Sequence, residues 1–244
     1  MSKHKKINTI AVVSQSSSRQ EIDMMNAHLE GVFSSLFLHK QLSDYGIKII
    51  HICNQTVPTI PCNTTIDFTH IDKLHAMGLP IEQLLLRDKA HLSMAQHYQD
   101  WNSANSSFYH SSSAYGVAFD GLGFQHLFNY AADGQNKEPL DFDQYCLSAL
   151  AAKMDKFCLP NVQENSILST LEYDLHCDKT ALITYLDNTL ASTSITSLSS
   201  DIIDLKTHHS DDLQQHIDVL CLADGTQVKV DLVLDCAGLG SKLQ

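Results

Sequence analysis

Residues 217–238, IDVLCLADGTQVKVDLVLDCAG, constrain the fold more than any other stretch of the chain. They read as a strand, a tight turn at Ala223-Asp224-Gly225-Thr226, and a second strand. An Asp-Gly pair between alternating residues is a strong hairpin signal, because glycine takes the positive φ such a turn needs. A buried apolar strand at 232–234 follows and runs into Asp235-Cys236-Ala237-Gly238, where small residues let another backbone or a ligand approach closely. At the other end of the chain, INTIAVV (7–13) reads as a short buried strand. Ile22, Met25, Leu29, Val32 and Leu36 then fall on one face of a helix. Gly46 stops that helix, and IKIIHI (47–52) is a second strand. Strand, helix and strand in this span form a βαβ unit, so the two strands are expected to be parallel with a right-handed crossover.

Composition excludes several classes. The chain has 244 residues, 43% of them apolar, with few Gly and Pro, which is globular rather than disordered. A formal charge of −12 disfavours nucleic acid and anionic membrane as partners. No apolar run approaches a membrane span, and the opening MSKHKKINTIAVVS has too short an apolar stretch for a secretory leader. Seven scattered cysteines include no CxxC pair, which implies reduced thiols in a cytoplasm. Fourteen histidines show no metal-ligand spacing such as HExxH, so no metal site is expected.

In a dinucleotide-binding unit the turn after the first strand is glycine-rich, for the tight turn and for close approach of the pyrophosphate to the helix N-terminus. Here that turn is Ser14-Gln15-Ser16-Ser17-Ser18-Arg19, with no glycine. One reading is a modified phosphate loop in which serine hydroxyls and Arg19 hold the phosphate. The other is a nucleotide fold that has lost its nucleotide. The acid expected after the second strand, which would hold ribose hydroxyls, is replaced by Cys53-Asn54. Further on, helices are expected at about 68–77, after Gly78-Leu79-Pro80 up to Trp101, and over 141–157. Residues 102–116 read as a Ser- and Asn-rich loop, 117–130 as mixed, and 191–200 as a Ser/Thr-rich stretch. Asp178 is a candidate N-cap for a helix through Leu190, and a strand is expected near 201–205.

Several segments resemble, in order, the flavin-dependent tryptophan halogenases. They are Ile10–Val13, Thr64-Thr65-Ile66, Met77-Gly78-Leu79-Pro80 with Trp101 at the matching distance, Phe108-Tyr109-His110, Leu175-His176-Cys177-Asp178, and Val230–Gly238. The family counterparts are an opening strand with GGGTAG, GVGEATIP, an LGIP helix ending in Trp, FYHPFG, YHFDA and ADLFIDCSG. The resemblance implies an α/β fold. Its core would be a Rossmann-like sheet of the FAD/NAD(P)-binding type, with a βαβ start and a β-hairpin insertion, truncated at its C-terminus. The whole of 1–244 would then be a single incomplete FAD-binding-type domain, with 68–175 as a helical and loop insertion. Val12 and Leu234 would sit side by side in one sheet.

The resemblance also implies FAD as cofactor, contacted by Ser16, Ser17, Arg19, Asp235 and Gly238. The departures are equally specific. Every glycine of the phosphate loop is gone, and the family's loop Glu falls on or near Asn63. The family's catalytic Lys falls on Ser93, whose hydroxyl supplies neither a cation nor a comparable nucleophile. Lys89, four residues and one helical turn away on a neighbouring part of the same face, is the candidate substitute. The family's WxWxIP segment is absent, because Trp101 is the only tryptophan. His110 and His176 match family histidines and serve either a pocket or the fold. The expectation is a halogenase-like protein impaired or inactive as a halogenase, with no catalytic residue assigned. The alternative is a non-catalytic partner or binding protein, or a decaying gene product. Apolar surface on the truncated face would be covered by a protein partner or by self-association.

Overall fold

The computed structural model describes residues 6–54, 56–80, 82–86, 89–133, 141–161, 166–209, 215–241 and 243. The start of the basic opening, and residues 81, 87 and 88 of the helix expected to reach Trp101, lie outside them. In chain order the elements are β1 (Thr9–Val13), α1 (Glu21–Leu42), β2 (Lys48–Cys53), β3 (Asn63–Ile66), α2 (Phe68–Ala76), α3 (Glu82–Leu85), β4 (Ala90–Ser93), β5 (Gln96–Gln99), β6 (Ser107–His110), α4 (Phe124–Asp133), α5 (Leu147–Lys153), β7 (Asp174–Asp178), α6 (Lys179–Ala191), β8 (Thr196–Ser199), β9 (Ile202–His209), β10 (Gln215–Leu222), β11 (Gln227–Lys229) and β12 (Leu232–Asp235). The chain divides into two compact units. One comprises 1–62 with 178–244, and the other 63–177.

The first unit is built on a four-stranded sheet in the order β12-β1-β2-β8, with every pair parallel. Val12 lies opposite Leu234, so strands from the two ends of the chain are neighbours, as the sequence led us to expect. A parallel sheet is stable when both faces are covered. On one face, Ala11, Val13, Ile50 and Ile52 pack against Ile202, Leu220, Leu222 and Val228 of the antiparallel sheet β11-β10-β9 and against Val230 just after it. On the other, Ile10, Val12 and His51 face α1, which also packs on α6. Acidic Glu21 and Asp23 in the first turn of α1, and His39 and Lys40 in the last, suit the helix dipole. The β10–β11 turn closes as expected. Gly225 has φ 88°, and Asp224 Oδ1 accepts a bond from the Thr226 amide at 2.9 Å.

Strand β12 departs from the expectation that it is buried. It is the edge of the sheet, and Leu232 and Leu234 are 47% and 38% exposed. The Ser/Thr-rich stretch 191–200, to which no element was assigned, contains β8, whose Ser and Thr residues complete the other edge.

The second unit corrects two helices. The helix expected after Pro80 does not reach Trp101. A single turn (α3) gives way to β4, antiparallel to β7, and to β5, antiparallel to β6. Cross-strand ring pairs stabilise β5–β6: His97 on Tyr109 at 4.4 Å and Tyr98 on Phe108 at 5.0 Å, both stacked. The helix expected over 141–157 is broken at Cys146, whose extended backbone (φ −125°, ψ 118°) separates a 3₁₀ turn at Phe142–Tyr145 from α5. Residues 102–116 include β6, and α4 spans part of the region read as mixed. The helix capped by Asp178 forms as expected, with its Oδ1 accepting from the Ala181 amide at 2.9 Å.

Candidate functional site

In an open parallel sheet a ligand binds beyond the carboxyl ends of the strands, where the strand order reverses. Here the order reverses between β1 and β12. The loop 14–19, the turn after β2 and the segment after β12 meet at that point. None of residues 14–19 has a positive φ, so the loop needs no glycine for its own conformation.

The amides of Ser16, Ser17 and Ser18 and the hydroxyls of Ser17 and Ser18 are all spent within the chain. Ser16 N donates to Asn54 Oδ1 at 3.1 Å and Ser17 N to the Gly240 carbonyl at 2.8 Å. Ser18 N donates to Ser16 Oγ at 3.2 Å, and Gln20 N to Ser18 Oγ at 3.1 Å. The Ser17 hydroxyl also donates to Gly240 O, at 2.9 Å. The Ser18 hydroxyl donates to the Asp23 carboxylate at 2.6 Å. The 238–241 backbone is pressed onto the loop so closely that a Cβ on Gly240 would overlap Ser16 Oγ and lie 3.1 Å from Ser18 N. Asp235 holds this arrangement. Its carboxylate accepts from the Ala237 amide at 2.9 Å and from the Ser241 hydroxyl, and Gly238 turns the chain with φ 59°. Gln15 is fully buried. Its Nε2 donates to the carbonyls of Cys53 and Ser200, and its Oε1 accepts from Ile202 N at 2.8 Å, which ties β1 to the ends of β2, β8 and β9.

Beside the loop lies a cleft of about 160 Å³ between the first half of α1 and residues 236–240, with Asp23 and Glu30 in its wall. Sites for drug-sized ligands run to about 300–1,000 Å³. Two carboxylates also oppose a diphosphate. The loop as folded therefore does not fit a dinucleotide pyrophosphate. Of the residues matched to cofactor contacts, Ser16, Ser17, Asp235 and Gly238 are brought together but bond to one another's segments, while Arg19 is exposed.

Below the loop is a buried polar chain that sequence reading missed. Ser14 Oγ and His51 Nε2 are 2.9 Å apart, the His51 and His28 rings 5.7 Å apart, and His28 Nε2 is 3.0 Å from Asp187 of α6. Ser14, His51 and His28 are all buried. Their residues lie far apart in sequence, and the only signal was the presence of polar residues just after β1 and at inward positions of β2 and α1. A Cβ at Gly31 would overlap Ser14 Cβ and lie 2.8 Å from Ser14 Oγ. Gly31→Ala is therefore expected to cost about 1–3 kcal/mol by overpacking. In a Ser14→Gly background, at least about 1 kcal/mol of that cost should vanish, read as the coupling energy of a double-mutant cycle in urea.

The other matched residues lie in the second unit. Ser93 ends β4, and its hydroxyl donates to Ala95 O at 3.1 Å. Lys89 is exposed just before β4. The segment is extended, so four residues span about 13 Å rather than one helical turn, and Lys89 is not beside Ser93. Asn63 opens β3 and is exposed. His110 meets Tyr98 edge-on at 6.5 Å, and Trp101 packs edge-on against Tyr98 while remaining 75% exposed. His176 stacks on its cross-strand partner His91 at 5.4 Å and contacts Thr65 Oγ1 at 3.2 Å. Among the described residues no group of three or more His, Cys, Asp and Glu is placed to hold a metal, and no helix is long and apolar enough to cross a membrane. None of the cysteines forms a disulfide.

A parallel sheet with a βαβ start, one face carrying helices and the other an antiparallel three-stranded sheet, defines a Rossmann-like domain of the FAD-binding class. A family model for tryptophan halogenase matches residues 29–244, and the chain belongs to that family. BrvH, a flavin-dependent halogenase from Brevundimonas sp. BAL3, superposes with a TM-score of 0.70 at 21% identity, over 96% of this chain and 42% of that one. SttH, a tryptophan 6-halogenase from Streptomyces toxytricini, gives 0.65 at 15% identity, over 93% and 41%. The tryptophan halogenase from Shewanella frigidimarina NCIMB 400 gives 0.64 at 15% identity, over 96% and 43%. The chain thus spans less than half the length of these structures. Among curated proteins none matches its sequence.

Proposed function

We propose that this chain is a halogenase-type FAD-domain fold whose dinucleotide site is closed by its own groups, leaving it impaired or inactive as a flavin-dependent halogenase. The observation that carries this reading is the loop: the amides of Ser16, Ser17 and Ser18 already have acceptors in Asn54, Gly240 and Ser16. A phosphate gains little from donors it must first take from other partners. Ser93 in place of the family's Lys supports the same reading, since a hydroxyl bonded to a carbonyl offers no amine for a hypohalous acid. The scattered cysteines suit a reducing cytoplasm.

The reading is tested by titrating FAD while following flavin fluorescence and thermal unfolding. No quenching and no shift are expected up to about 200 μM, which means binding weaker than about −5 kcal/mol. Saturable binding within that range overturns the proposal. Ser93→Lys supplies the missing amine but leaves the loop closed. With a flavin reductase, chloride and tryptophan it is expected to yield no chlorinated product by mass spectrometry, and a product would show that the loop was not the obstacle.

A further inference from the structure

Strands β9 and β10 bring two histidines together at one end of their pairing. His208 and His216 are direct cross-strand partners, both exposed, with rings stacked at 5.5 Å and 27° between their planes. His208 lies six residues along β9 from Ile202, the residue that Gln15 binds, which is about 20 Å of strand. Ile217 packs against the core between the two sheets, so strand alternation turns its neighbour His216 to the opposite face. The pairing slips by one residue between Ile217 and Val219, which makes Asp218 the extra residue of a β-bulge. A bulge re-aims a side chain, and here the Asp218 carboxylate lies 2.6 Å from His208 Nδ1.

We propose that His208 and His216 chelate a divalent cation of the zinc, nickel or copper kind, with Asp218 as the positioning residue behind His208. An ionised carboxylate only accepts hydrogen bonds. It therefore keeps the proton of the neutral ring on Nδ1 and leaves the Nε2 lone pair of His208 for a metal. A carboxylate behind a metal-binding imidazole fixes its tautomer and raises its basicity. The spacing of the rings suits the same reading, since two imidazoles sharing a tetrahedral ion at about 2.1 Å per nitrogen have ring centres roughly 5 Å apart. Imidazole nitrogen favours these ions over magnesium and calcium, which take oxygen. Two protein ligands, with water in the other positions, make an exchangeable surface chelate rather than a closed cage of four. The chain's charge of −12 draws cations towards it. A second cross-strand pair, His91 and His176, lacks this support. The neighbour of His176 Nδ1 is the Thr65 hydroxyl, which donates as well as accepts and so fixes no tautomer. No sequence spacing announces the site, because strand register and a bulge bring its groups together. The inference does not depend on whether flavin binds.

The test titrates the full chain with Ni²⁺ in a non-chelating buffer at pH 7.5, read by isothermal calorimetry. Saturable binding of one ion per chain is expected. His208→Ala and His216→Ala, each checked for folding by circular dichroism, should each weaken it at least tenfold, and His91→Ala should leave it unchanged. His208→Gln or His216→Gln serves where an alanine variant fails to fold. Asp218→Asn should weaken binding by about 10–100-fold, because an amide no longer holds the proton on Nδ1. Its thermal midpoint without metal should stay near that of the parent while the gain on adding Ni²⁺ shrinks, which separates a role at the ion from a role in the fold. No saturable binding by the parent, or binding that survives loss of either His208 or His216, overturns the proposal. An equal loss in His91→Ala also overturns it, because the metal would then be an adventitious ion shared among surface histidines. Parent-like binding by Asp218→Asn overturns the role given to Asp218.

Discussion

Gln15→Leu is expected to lower stability by about 3–5 kcal/mol, because it leaves three buried backbone groups without partners at about 1–3 kcal/mol each, partly offset by relaxation. Leucine nearly preserves the side-chain volume, so the loss reports hydrogen bonding rather than a cavity. The three groups are the carbonyls of Cys53 and Ser200 and the amide of Ile202, all reached by the Gln15 carboxamide. Those residues end β2, follow β8 and open β9, so the side chain works as a clasp across the carboxyl edge of the sheet. Gln15→Gly, which writes a family loop residue back into place, should be at least as destabilising, because it removes the clasp and adds a void. It should not restore flavin binding, since Gly240 would still cover Ser17. As a reference, Arg19→Ala, at an exposed position, should stay within about 0.5 kcal/mol of the parent. Urea titrations followed by far-UV circular dichroism decide the matter, and a Gln15→Leu loss below about 1 kcal/mol would refute the clasp.

The same residue shows where sequence reading reached and where it stopped. The βαβ start and the closing hairpin were legible because their information is local: a periodicity, a stop at Gly46, an Asp-Gly turn. The pairing of Val12 with Leu234 followed from family order, and the register confirms it. The loop's lack of glycine was equally plain. What replaced glycine was not, because the partners of Gln15 and Ser16 come from positions 38 to 187 residues away. The stretch after Pro80 was misread for a related reason. Its apolar residues fit a helical period, but the rings of His97 and Tyr98 find Tyr109 and Phe108 on a neighbouring strand, and that pairing outweighs local preference. Strand β8 was lost among serines and threonines, which suit an edge.

Stability should trace a bell against pH, peaking near pH 6.5, with the buried pair His28 and His51 supplying both flanks. Burial alone would lower the pKa of His28. The Asp187 carboxylate on Nε2, with the Cys53 sulfur nearby, outweighs burial and raises it from 6.5 to about 9. For His51 burial dominates, and cationic His28 beside it adds to the effect, lowering it from 6.5 to about 4. From pH 9 down to 6.5 the folded chain holds a proton on His28 that the unfolded chain lacks, so acidification stabilises. This contribution is complete below 6.5 and is lost as pH rises through 9. From 6.5 down to 4 the unfolded chain protonates both histidines while the folded chain carries one, so acidification destabilises. Each flank spans about 2.5 units at about 1.4 kcal/mol per unit, or roughly 3 kcal/mol. His28→Gln keeps a donor for Asp187 but removes the titrating ring and the cation beside His51. Subtracting its urea-derived stability curve from that of the parent between pH 5 and 9.5 isolates the pair from other titrations. The difference should fall steeply above pH 6.5, while the acid flank of the variant shrinks as its His51 protonates more easily. A difference that does not fall above pH 6.5 would mean that folding does not raise the affinity of His28 for its proton.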